Sequence, residues 1–265
     1  MRDALRAEWT KIRTVRTTGA WAAATVVAAV ALSCLVAAAV EAGGCAPEAT
    51  GCADDPTALS LSGVYLAQAA VVVFAVTAVT AEYETGLARV TLAACPRRST
   101  VYLARAAVVT AAVSAVGLVA MAGACLAGRA VLAGGGMAAP LEVTPPGPAD
   151  LATSRAVVGT ALYLCLLALL CLGVGTALRH SGATVAAVLA LLLVPAAVAA
   201  IVPFPPRVLE AIQRSAPMTA GLAVRATVEP AGGAPIGPWA GLGVFAGYAG
   251  TASLLGWWTF RHRDA

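Results

Sequence analysis

The chain has 265 residues, of which 60% are hydrophobic and only 11% charged, with a formal net charge of +4. A soluble domain carries about 25% charged residues, so this chain lacks the polar surface to cover a water-facing exterior, and a membrane protein is expected. Lys11 is the only lysine, and no basic stripe with interleaved aromatics is present to follow a phosphate backbone, so nucleic acid is not an expected partner.

The first expected element is an amphipathic interfacial helix over residues 1–17. In "MRDALRAEWTKIRTVRTTG", Leu5, Trp9, Ile12 and Val15 recur at helical spacing while Arg2, Arg6 and Arg13 gather on one flank. That pattern suits a helix lying in the bilayer interface; a basic topogenic tail without fixed structure is the other reading. A hydrocarbon core of roughly 30 Å needs about 20 apolar residues per helix. Six stretches reach that length: 18–40, 59–80, 101–127, 156–178, 182–202 and 238–259. They are rich in Ala, Val, Leu and Gly without period-two alternation, so helices are expected rather than barrel strands. The first run exceeds the roughly 7–15-residue apolar core of a signal peptide.

Between the spans, outer loops are expected at 41–58, 128–155 and 203–237. In the first, "GGCAPEATGC" sets Cys45 and Cys52 close together, either as a disulfide or as two free thiols. "DDPT" follows, with an Asp to cap a helix that starts at Pro56. The second loop is Gly/Pro-rich and expected to be irregular. In the third, "PFPPRVLEAIQRSAP" reads as a proline-led helix with Val208, Leu209 and Ile212 on its apolar side; the sequence leaves open whether it re-enters the bilayer or lies on it. Cys34, Cys125, Cys165 and Cys171 fall in apolar spans, where cysteine packs as a small hydrophobe. In the last span Gly243 and Gly247 form a GxxxG pair, the spacing of close helix contacts.

The inner segments, 1–17, 81–105, 179–181 and 260–265, carry most of the 17 Lys/Arg, which places both termini in the cytoplasm. Trp21, Trp257 and Trp258 would then lie near the inner interface and Trp239 near the outer one. No phosphate-binding loop of the GxxxxGKS/T type can be drawn, because Lys11 lies in the leader. The middles of the spans hold no Asp, Glu, Lys, Arg or His from which to build an ion relay or an intramembrane catalytic site. His180 and His262 both lie at cytoplasmic edges, so no metal site is expected, and the chain is not expected to be an enzyme. Gln68 is the most notable polar residue inside a span; it either lines a substrate path or hydrogen-bonds a neighbouring helix.

The segment 81–100 concentrates charge in a chain that otherwise avoids it. In "AEYETGLARVTLAACPRRS", Glu82, Glu84, Gly86, Leu87 and Arg89, then Pro96, Arg97 and Arg98, resemble the loop between the second and third spans of type-two ABC transporter permeases. The leader "LRAEWTKIRT", the run "SLSGVYLAQAAVVVFAVTAVTAEYETG" and the ending "WWTFRHRDA" are similar to actinobacterial members of that family. The resemblance implies an all-α integral membrane protein of six transmembrane helices with an N-terminal interfacial helix, and a membrane subunit of an ABC exporter in a bacterial cytoplasmic membrane. It makes the eight named loop residues a coupling element that docks on a separate ABC ATP-binding subunit, where ATP and Mg are bound. It also implies a second permease copy or paralogue, and a path lined by the second and fifth spans, including Gln68 and Thr77, with Pro195 letting the fifth span bend. The cargo would be amphipathic: drug-, peptide- or lipid-like. An ion-coupled transporter or a membrane scaffold subunit are the alternatives, and a solvated loop whose arginines serve topology is the plainer reading of 81–100.

Overall fold

Long runs of Ala, Val and Leu offer the backbone no polar side chains to bond with, so each run satisfies its own N–H and C=O groups as helix. The computed structural model describes residues 2–14, 16–42, 55–84, 98–134, 148–228 and 234–262. Among the described residues every regular element is helical. These are α1 (Arg2–Thr14), α2 (Arg16–Ala42), α3 (Pro56–Ser60), α4 (Val64–Glu84), α5 (Arg98–Gly134), α6 (Pro148–Leu178), α7 (Ser181–Ile201), α8 (Pro206–Ser215), α9 (Pro217–Leu222), a 3-10 turn (Ala223–Arg225) and α10 (Pro238–His262).

Five helices are long and apolar enough to cross a membrane, over Thr18–Val40, Val64–Ala81, Ser99–Gly134, Leu151–Leu178 and Ser181–Ile201. The chain is therefore an all-α protein of multi-pass membrane type. The remaining expected span, 238–259, is a helix of 25 residues. Its glycines (Gly241, Gly243, Gly247, Gly250 and Gly256) and its Trp, Tyr, Ser and Thr residues dilute its apolar content below that of the other five.

Helix α6 is the hub, packing against α4, α5, α7 and α10. Its Tyr163, Leu164, Leu167, Leu170 and Leu172 are fully buried. Helix α2 lies against α5 and α4, and α1 lies along α5. Trp21 is part of the α2–α4 joint rather than a free interfacial ring: its Nε1 donates to the Ala70 carbonyl at 2.8 Å and its ring stacks on Phe74 at 3.7 Å. Trp239 and Trp258 are exposed.

Three boundaries differ from the sequence expectation. The second span does not run unbroken from residue 59, because Leu61–Gly63 form a turn between α3 and α4. There the chain crosses α2 so closely that a Cβ on Gly63 would overlap the Ala29 carbonyl, and the Gly63 amide donates to Ser33 Oγ at 2.9 Å. Residues 128–134 and 148–155, expected in an irregular loop, are helical ends of α5 and α6. Arg129 Nη1 donates to Thr153 Oγ1 at 3.1 Å, which gives the charge a partner across the two helices. The segment 203–237 has two parts: α8 has no buried residue, whereas Pro217, Met218, Ala220, Gly221 and Leu222 of α9 are all buried. The chain thus lies on the surface in α8 and turns inward at Pro217.

The GxxxG expectation also changes. Gly243, Gly247 and Gly250 face open space, while a Cβ on Gly173 would overlap the Ala252 carbonyl and one on Gly256 would overlap the Gly173 backbone. The close α6–α10 crossing uses the other face of α10.

Candidate functional site

The position of Gln68 follows from helical geometry. It lies on the face of α4 that turns toward α6, and it is 3% exposed. A buried amide is costly unless its oxygen and nitrogen are both engaged. Tyr163 Oη donates to Gln68 Oε1 at 2.9 Å, and Gln68 Nε2 approaches Met218 Sδ at 3.9 Å. The Tyr163 ring stacks on Phe245 at 4.6 Å, and Gly221 leaves room for it where a Cβ would collide with the ring. Elements α4, α6, α9 and α10 therefore meet at one buried polar contact. Of the two readings of Gln68, the structure shows the bond between helices.

Thr77 is nine positions further on, which at 100° per residue is the opposite face of α4. It is exposed, and its hydroxyl bonds back to the Val73 carbonyl at 2.8 Å. Tyr65, Ala69, Val73 and Thr77 form an exposed stripe at four-residue spacing. Helices α2 and α7 both contact α4. Pro195 lies half-buried inside α7, which continues through it to Ile201. Gln68, Thr77 and Pro195 are therefore not brought onto one surface within a single chain.

Of the coupling residues, Glu82 and Glu84 fall in the last turn of α4 and Arg98 opens α5. Gly86, Leu87, Arg89, Pro96 and Arg97 lie outside the described residues, as do Cys45 and Cys52. What flanks this segment is described. Glu8 of α1 is 8% exposed and Arg105 of α5 4%. Glu8 Oε1 lies 2.9 Å from Lys11 Nζ and 3.6 Å from Arg105 Nη2. Breaking one side of so buried a pair strands the other charge, so α1 is fixed to the first turns of α5. The two-residue turn between α6 and α7 lies beside the last turn of α4, with the Arg179 guanidinium 5.4 Å from the Tyr83 ring centroid. Arg179 has φ 56°, the left-handed region. Sequence reasoning missed the Glu8–Arg105 pair; the signal was an arginine inside an apolar run, which needs an acid at the same depth.

At the other end of the bundle, Asp55 caps α3, its Oδ1 accepting from the amides of Thr57 at 3.1 Å and Ala58 at 3.0 Å. It also reaches across the fold. Thr227 Oγ1 donates to Oδ1 at 2.8 Å and the Val228 amide to Oδ2 at 3.0 Å, with the Thr227 amide on Oδ2 as well. Burial pushes the carboxyl up, but the hydrogen bonds from Ala58, Thr227 and Val228 together outweigh it and hold it below the usual 3.8. Arg225 lies over the Tyr65 ring at 5.0 Å and donates to its hydroxyl at 2.8 Å. Arg155 Nη2 donates to the Ala226 carbonyl at 2.7 Å. No family model matches the chain, and no curated protein matches it.

Proposed function

We propose that this chain is the membrane-spanning permease subunit of an ATP-driven ABC exporter in a bacterial cell membrane. It would have six spans, with α10 as the sixth and both termini cytoplasmic. The observation that supports the reading is where the two helix ends flanking the charged sequence lie. Helix α4 ends at Glu84 and α5 begins at Arg98, at the end of the bundle where α1 is fixed to α5 through Glu8 and Arg105. A partner that pushes on this segment therefore acts on α4, α5 and α1 together. Its charges give a docking surface register without committing apolar area.

ATP and Mg would be held by the partner ATP-binding subunit, and a second permease copy or paralogue would complete the pore. Supporting the path between copies is the exposed stripe of α4, which carries Thr77, and the largely exposed α7 with Pro195 in its second half. The cargo is amphipathic: drug-, peptide- or lipid-like.

The test is a mild-detergent pull-down of the tagged chain from its native membrane, run beside an Arg97→Glu/Arg98→Glu double variant. An ATP-binding subunit should co-elute with the parent and be at least tenfold depleted from the variant. Absence of any such subunit across several detergents would sink the permease reading and favour a transporter driven by an ion gradient, testable by reconstitution.

A further inference from the structure

Between α6, α8, α9 and the start of α10 lies a cavity of about 590 Å³. Arg155 is its one charged lining side chain among the described residues, joined by the polar Gln213, Thr219 and Thr227. The walls are pinned from several directions. Arg155 holds Ala226, Asp55 holds Thr227 and Val228, and Arg214 Nε donates to the Pro235 carbonyl at 2.6 Å. Tyr248 Oη donates to the Ser215 carbonyl at 3.2 Å, fixing the end of α8. A cavity of this size whose irregular walls are held by side-chain bonds has the character of a preformed ligand site.

Among the described lining residues the charge is unbalanced. Among the described residues no carboxylate makes an ion pair with Arg155, whereas Arg214 pairs with Glu210 and Arg105 with Glu8. Among the described residues Arg155 makes one hydrogen bond, and its Nε is buried without a partner there. A guanidinium has five donors and matches phosphate geometry. The level in the membrane also fits. Trp239, next to the lining residue Pro238, is 55% exposed, and the amphipathic α8 lies on the surface beside it, as expected of the headgroup zone.

We infer that this cavity binds a phosphate-bearing anion, carried by a lipid headgroup or free in solution, with the Arg155 guanidinium as its cationic contact. The inference needs no ATP-binding partner and stands apart from the permease reading.

The experiment is thermal unfolding of the purified full-length chain in a zwitterionic detergent. Two probes are titrated, dihexanoyl phosphatidylglycerol and inorganic phosphate, with dihexanoyl phosphatidylcholine as the net-neutral control. The anionic lipid should raise Tm in a saturable way, and Arg155→Gln should weaken its apparent affinity at least tenfold. Ala234→Trp, at an exposed rim position, should abolish the shift by filling the cavity, and it decides the matter if Arg155→Gln fails to fold. A shift with both anions identifies phosphate itself as the ligand; a shift with the lipid alone identifies the headgroup. The inference is overturned by no saturable shift with either anion, by an equal shift with the neutral lipid, or by a shift that Arg155→Gln leaves intact.

Discussion

Tyr163 and Gln68 show how one hydrogen bond can be tested by what its loss leaves behind. Tyr163→Phe removes the donor and strands Gln68 Oε1 in a buried site. Leaving a buried acceptor unsatisfied costs about 1–3 kcal/mol. The double variant Tyr163→Phe/Gln68→Leu should recover part of that loss, with a coupling of about 0.6 kcal/mol and no more than about 1.7 kcal/mol, the mean and maximum for such bonds between membrane helices. Thermal unfolding of the four proteins of the cycle checks this, and strictly additive effects would refute the bond. Asp55 makes a different prediction, in pH. Its folded carboxyl titrates below its unfolded value, so its contribution is complete above about pH 4 and is lost as pH falls through the folded value. Asp55→Asn should therefore be less stable than the parent by about 1–3 kcal/mol at pH 7, and the gap should narrow as pH falls below about 4. A gap that does not change with pH would remove the charge from the argument. The cap on α3 was legible in "DDPT", since Asp before Pro is a local signal. The bonds to Thr227 and Val228 were not, because they join residues more than 170 positions apart and nothing local marks the acceptor.

At the scale of elements, long apolar runs announce helices but not which face each will bury. In α10 the sequence offers small residues on several faces, and the GxxxG spacing of Gly243 and Gly247 gives no reason to prefer the face that holds Gly241 and Gly256. The choice is made by α6, whose Gly173 meets α10 at Ala252 and Ser253. Gly173→Val should therefore destabilise the fold by at least about 1–3 kcal/mol, as overpacking does. Gly247→Ala, in open space, should be neutral or stabilise the monomer by about 0.5–1 kcal/mol through helix propensity. Measuring both by unfolding in detergent separates the two faces, and a Gly247→Ala protein as damaged as Gly173→Val would reverse the assignment. The break at Leu61–Gly63 was hidden for a related reason. Ser62-Gly63 is its one local turn signal, easily overridden in so apolar a stretch, and it is the approach of α2 that requires glycine there. Helix α9 was hidden too, since six residues cannot show a helical period and its burial comes from the elements around it, α4, α6, α7 and α10 among them.

At the scale of the molecule, the number of crossings decides which ends of the bundle share a compartment. Five helices meet the length and apolarity of a span; α10 meets the length alone, since 25 residues at 1.5 Å each reach about 37 Å against a core of roughly 30 Å. Packing is the support for the proposed sixth crossing. Helix α10 runs along α6, from Phe245 beside Tyr163 to Gly256 beside Gly173. A helix docked so far along a membrane-spanning neighbour shares its depth. Its less apolar residues are tolerable because Gly241 and Gly256 are buried against protein and the Ser253 hydroxyl bonds the Leu169 carbonyl at 3.2 Å. In a chain whose 7 cysteines are replaced by alanine, single cysteines at Arg13, Arg207, Trp239 and His262 report the sides. With six crossings, a membrane-impermeant maleimide should label the Arg13 and His262 positions from one face of sealed vesicles and the Arg207 and Trp239 positions from the other. Labelling of Trp239→Cys and His262→Cys from the same face would leave α10 as a helix that packs on α6 without crossing. It would also put the C-terminus on the opposite side from α1, and the arrangement with both termini cytoplasmic would have to be abandoned.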